Sequence, residues 1–65
     1  MDSNLPKDIE IVQYLSDGLK SKDIAKGLNR SPRTIEAYIA TLLWRHKAKS
    51  QAHLVAIFLR SELIL

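Results

Sequence analysis

The 65-residue chain has no cysteine, so neither disulfides nor thiolate metal sites can add to its stability. Its two histidines, His46 and His53, fall seven positions apart on separate expected helices, a spacing that matches no zinc motif. No cofactor is expected. Long apolar runs are also missing: residues 54–65 are rich in leucine and isoleucine but are interrupted by Arg60 and Glu62, and they fall far short of the ~20 residues that span a bilayer. Met1 is followed by Asp2, Ser3 and Asn4, unlike the basic and then apolar start of a secretory signal. A cytoplasmic protein is expected, with no membrane partner. No nucleophile, base and orienting acid are grouped, which argues against an enzyme.

Proline and glycine are scarce, two of each, and they fall where helices begin and end. Pro6 suits a first helical turn, and Ile11, Val12 and Leu15 follow at the spacing of one buried stripe. Asp17-Gly18 closes this helix, expected over residues 7–16, because glycine takes the left-handed C-cap without a Cβ penalty. Ser21 is expected to cap a short second helix, residues 22–28, with Asp23 favourably placed against the helix dipole. Ile24, Ala25 and Leu28 form its inner face, and Asn29 suits the left-handed turn that closes it. After a very short turn, Ser31 caps a third helix, residues 32–46, with Pro32 at its first position. Ser50 caps a fourth, residues 51–63.

The third helix is unusual in what it leaves outside. Ile35, Ile39, Leu42 and His46 share one side, flanked by Tyr38 and Leu43, while Arg33, Ala37, Ala40, Thr41 and Trp44 share the other. Surface helices normally carry charge there, and this one is smooth. Tyr38 is expected at the core edge with its hydroxyl at the surface. Trp44 can meet a partner molecule or pack across the neighbouring loop. The fourth helix has two apolar stripes: Leu54, Ile57, Phe58 and Leu65 on one, and Val55, Leu59 and Leu63 on another about 120° away. A helix on the surface of a monomer needs only one.

A single domain, residues 1–65, follows from the length, and a core of this size contributes only about 3–5 kcal/mol net. Burial against a partner is the expected supplement. The second stripe of the fourth helix fits a symmetric pair through Val55, Leu59 and Leu63, unless the chain's own C-terminus or a missing part of a longer protein covers it.

The overall charge of +3 is unevenly spread, since residues 22–49 hold seven cations against Asp23 and Glu36. That central basic segment suits a polyanion. Two helices joined by a tight turn, the second capped by Ser31-Pro32, make a candidate helix-turn-helix, whose second helix can enter the major groove of double-stranded DNA. Ala37 and Ala40 would let the backbone approach and would offer methyls to thymine. Arg33 can reach a guanine edge or a phosphate. Ser31 and Thr34 can donate to phosphate oxygens, helped by the first-turn N–H groups. Lys22, Lys47 and Lys49 would clamp phosphates and set salt dependence. Glu36 is the awkward member, useful only if it accepts from a cytosine amino group or orients Arg33. His53, Lys20 and Lys26 read as solvated surface side chains.

The run Leu19-Lys20-Ser21-Lys22-Asp23-Ile24-Ala25, then Leu28, then Ser31-Pro32-Arg33-Thr34-Ile35-Glu36-Ala37-Tyr38-Ile39 resembles the LuxR-type, GerE-like DNA-binding domain. Leu5-Pro6-Lys7-Asp8 resembles its opening and Ala48-Lys49-Ser50-Gln51 its later segment, so the resemblance covers nearly the whole chain. It implies an all-α, tetra-helical domain containing a helix-turn-helix, in a transcription regulator that pairs through its fourth helix in the bacterial nucleoid. By motif position it places Glu36, Ala37 and Ala40 against bases, and Lys22, Thr34 and the region from Arg45 through Lys47 to Lys49 against the DNA backbone. Three positions depart from the pattern. Tyr38 replaces a histidine, Gln51 an arginine, and His46 a core leucine, leaving a polar ring that must find a partner. Glu36 and Gln51 favour an alternative, a module that pairs with a larger LuxR-type regulator and blocks it. A sigma region four-like module that contacts promoter DNA and RNA polymerase is a further alternative.

Overall fold

The structure, a computed structural model, describes residues 7–62 and 64. Four helices follow one another, α1 (Lys7–Ser16), α2 (Ser21–Leu28), α3 (Pro32–Arg45) and α4 (Gln51–Arg60), with no strand among the described residues. The all-α, four-helix expectation holds. The expected roles of Leu5, Pro6, Leu63 and Leu65 concern residues outside those described.

Each helix contributes an apolar stripe to one core: Ile11 and Val12 from α1, Ile24 and Ala25 from α2, Ile35, Ile39 and Leu42 from α3, Leu54 and Phe58 from α4, and Ile64 beyond it. Each fully buried aliphatic or Phe side chain is worth about 1.5–3 kcal/mol of transfer free energy. The helices associate mainly as two pairs, α2 on α3 and α1 on α4.

The helix ends explain why the boundaries fall where they do. Ser31 Oγ accepts from the Thr34 N–H at 3.1 Å and Ser50 Oγ from the His53 N–H at 3.0 Å, so α3 and α4 start on the expected side-chain caps. The start of α2 differs from expectation. Ser21 is already helical, and Lys20 is the extended cap residue, its N–H donating to Asp23 Oδ2 at 3.3 Å. Asp23 serves the helix end by reaching back to the cap backbone, the carboxylate half of a capping box.

At the other ends, Gly18 (φ +86°) closes α1 and Asn29 (φ +57°) closes α2. Behind α3 the left-handed position is filled by Lys47 (φ +55°), with Lys47 N–H bonding Trp44 O at 3.2 Å and Ala48 N–H bonding Leu43 O at 2.8 Å. This is a Schellman ending built on a lysine. It halts α3 at Arg45, one residue earlier than expected, and makes His46 its C-cap. Helix α4 ends at Arg60, short of residue 63, because Ser61 caps it and Glu62 turns left-handed (φ +60°).

Candidate nucleic-acid interface

The turn between α2 and α3 is only Asn29, Arg30 and Ser31. Arg30 N–H closes back on Ala25 O at 2.8 Å and ends α2, while the two helices are held against each other by their shared core. Three fully or nearly fully buried residues, Ile35, Ile39 and Leu42, lock α3 in rotation. That lock determines which side faces out.

The outward side carries small side chains through its middle, at Ala37, Ala40 and Thr41. Arg33, Glu36, Ala37, Ala40, Thr41 and Trp44 are all exposed, and neither alanine is covered by α4. Thr41 turns its hydroxyl back to donate to Ala37 O at 3.0 Å, which leaves its methyl to extend the smooth surface. Thr34, Ala37, Tyr38, Thr41 and Arg45 line an open groove of about 410 Å³ along one flank of the helix.

At the N-terminal end of α3 the two hydroxyls are already in contact, Ser31 Oγ and Thr34 Oγ1 lying 2.8 Å apart. One proton is used between them and one remains to donate outward. Both side chains are exposed beside the Arg33 N–H, the one first-turn donor left after Pro32, which has none, and Thr34, whose N–H is bonded to Ser31 Oγ, an arrangement that suits an anion.

Among the described residues, Lys22, Arg33, Lys47 and Lys49 are exposed and pair with no carboxylate. Arg45 differs, because its Nη1 lies 2.9 Å from Asp8 Oδ2 on α1. Tyr38 adjoins that pair. Its phenol is raised above its ordinary pKa of 10.0 by burial first, then by the charge of Asp8 and a hydrogen bond to it, with Arg45 opposing. Glu36 pairs with none of the described cations, so it does not orient Arg33 through a salt bridge.

Two residues read as solvated or unresolved from sequence have defined places. His53 is half-buried, and its Nδ1 accepts from Lys49 N–H at 3.0 Å while its own N–H donates to Ser50. It thereby completes a reciprocal cap at the start of α4. His46 sets its ring edge-on to Phe58, centroids 5.0 Å apart at 68°, and its buried Nε2 has no hydrogen-bond partner among the described residues. Gln51, at the start of α4, is exposed and lines an open cleft with Leu15, Leu19, Lys20, Ala52 and Val55.

Along α4 the second stripe is only partly outward. Val55 is half-buried against the core and Leu59 is 45% exposed; Leu63 lies outside the described residues. Among the described residues, no group of three metal-ligating side chains comes together, and no helix is long and apolar enough to cross a membrane.

Comparison with known proteins adds a sequence relationship to this geometry. Residues 6–58 match the family model described as bacterial regulatory proteins, luxR family. The transcriptional regulatory protein FixJ of Bradyrhizobium diazoefficiens is 34% identical over 59 residues, 91% of this chain and 29% of that protein. The probable transcriptional regulator ycf29 of Cyanophora paradoxa is also 34% identical, over 91% of this chain and 28% of its own length. FixJ of Rhizobium meliloti is 38% identical over 82% of this chain and 26% of its own. The chain thus spans less than a third of each of these relatives. No solved structure matches.

Proposed function

The chain belongs to the LuxR family of bacterial regulatory proteins, and on that premise we propose that it is a sequence-specific, double-stranded DNA-binding transcription regulator domain. In this reading α3 lies in the major groove. Ala37 and Ala40 approach the bases, Arg33 reaches a guanine edge or the flanking phosphate, and Glu36 accepts from a cytosine amino group. Lys22, Ser31, Thr34, Arg45, Lys47 and Lys49 hold the phosphates, and they set register more than sequence preference. A pair formed through Val55 and Leu59 of α4, with Leu63 beyond it in sequence, would present two recognition helices to an inverted repeat.

The observation that carries this reading is the outward, unobstructed alanine side of α3 beside four cations that pair with no carboxylate among the described residues. If each of Lys22, Arg33, Lys47 and Lys49 neutralises one phosphate, log K falls with log salt at a slope of about −3.6 per chain, a loss on the order of 100-fold between 50 and 200 mM salt. Titration of a labelled mixed-sequence duplex across that range tests it. Negligible affinity at low salt rejects the reading.

One observation favours a second reading. Glu36 pairs with no cation among the described residues and Arg45 is occupied by Asp8, which suits a module that pairs with a larger LuxR-type regulator and holds it off DNA. The same titration separates the two, since a pairing module shows little duplex affinity at any salt.

A further inference from the structure

Trp44 is the chain's single tryptophan, and 82% of it is exposed. It is not among the residues that pack on the core, so nothing among the described residues accounts for so large an apolar side chain there. Its place on α3 is informative. At 100° per residue it falls about 20° from both Arg33 and Ala37 and about 40° from Ala40, in line with the groove-facing side. Along the axis it stands about 16 Å beyond Arg33, more than the ~12 Å width of the major groove. With the N-terminal turns of α3 against base edges, a residue that far along leaves the groove and passes over a strand.

What a strand offers at that point is the apolar face of a deoxyribose and a phosphate oxygen. An indole matches both, with an apolar body and one N–H donor. We propose that Trp44 is an uncharged backbone contact of the DNA interface, its ring against a deoxyribose and its Nε1–H donating to a phosphate bordering the groove. The inference rests on the DNA-binding reading above and assigns to that surface a residue with a distinct physical signature. Lysines bind phosphate by releasing counterions, whereas Trp44 releases none. It strengthens binding to every sequence alike and leaves the salt slope unchanged. A second copy of the chain is the less fitting occupant, because Trp44 sits in line with Arg33 and Ala37 on α3, whereas the apolar surface suited to pairing is on α4.

Because Trp44 is the only indole, its emission reports its own environment. An unlabelled duplex is titrated into the protein while emission is followed, and binding of a fluorescein-labelled duplex is measured in parallel by anisotropy. The expected result is saturable quenching with the same Kd as the anisotropy change. Trp44→Ala should melt like the parent and bind about tenfold more weakly, with a parallel line of log K against log salt. Trp44→Phe, which keeps a ring and loses the donor, should fall between. Duplex binding with unperturbed emission, or full affinity in Trp44→Ala, overturns the inference and leaves the DNA-binding reading standing. A shallower salt slope in Trp44→Ala also overturns it, as does an emission shift on concentrating the protein without DNA, which would place Trp44 between two copies. If no duplex binds, both readings fall.

Discussion

Replacing His46 with leucine should stabilise the protein. The imidazole sits edge-on to Phe58 with its Nε2 buried and, among the described residues, unpartnered. A buried polar atom left without a hydrogen bond costs about 1–3 kcal/mol. Against this stands the edge-to-face contact with Phe58, worth about 0.5–1.5 kcal/mol, which leucine replaces in part by ordinary apolar packing. The balance is a gain of about 1 kcal/mol, and a domain of this size shifts its Tm by roughly 4–8 °C for each such increment. Thermal unfolding followed by far-ultraviolet circular dichroism, with parent and variant at one protein concentration, reads the change directly. His46→Gln retains a buried polar end and lacks the ring, so it should melt below the parent. A His46→Leu protein that melts at or below the parent's Tm would refute the reasoning, because Nε2 would then have to be satisfied in solution.

The other predictions concern function and pH. Ala37→Glu should abolish sequence preference in selection from random duplexes, a loss of about 1–3 kcal/mol of discrimination; undiminished preference would move base reading to another surface. Leu59→Asp should yield a folded monomer by sedimentation, since Leu59 is 45% exposed; an unchanged dimer would place the pairing surface elsewhere. Tyr38 titrates above its ordinary value of 10.0 in the fold, so the folded state holds its proton after the unfolded chain has released it. The resulting stability is present below that pH and is lost as pH rises through the folded-state value. Tyr38→Phe should accordingly flatten part of the alkaline fall in denaturant-measured stability, and curves that stay parallel to the parent's would show that the Asp8 environment leaves the phenol unaffected.

Local rules carried most of the fold. The Ser31 and Ser50 caps, the glycine turn at Gly18, the asparagine turn at Asn29 and the apolar stripe of α3 each depend on residues within four positions of one another, so sequence order contains the information. The start of α2 falls one residue before the expected one because Ser21 and Lys20-to-Asp23 are two local solutions to the same unsatisfied N–H groups, and the carboxylate forms the bond. The end of α3 was hidden for a different reason. A lysine at a left-handed position costs energy that glycine avoids, and nothing in its side chain advertises the turn. Long-range pairs were beyond reach altogether: Asp8 and Arg45 are 37 residues apart and meet only because α1 and α3 share the core. The alanine side of α3 was legible as a pattern, whereas the isolation of Trp44 on it was not, since an indole at that spacing packs equally well against a loop.

The Asp8–Arg45 pair also ranks the cations of the proposed interface. A phosphate that recruits Arg45 must first draw it from Asp8 at 2.9 Å, and a pair this open to solvent is worth about 0.2–1 kcal/mol. Lys22, Lys47 and Lys49 give up no such partner among the described residues. The carboxylate also remains beside the incoming phosphate, and like charges at that range oppose each other. In the proposed interface Arg45 should therefore add less net affinity than any of the three lysines, although it stands on α3 itself. Its firmer contribution is to tie α1 to the far end of α3, a modest addition to the orientation that Ile35, Ile39 and Leu42 set through the core.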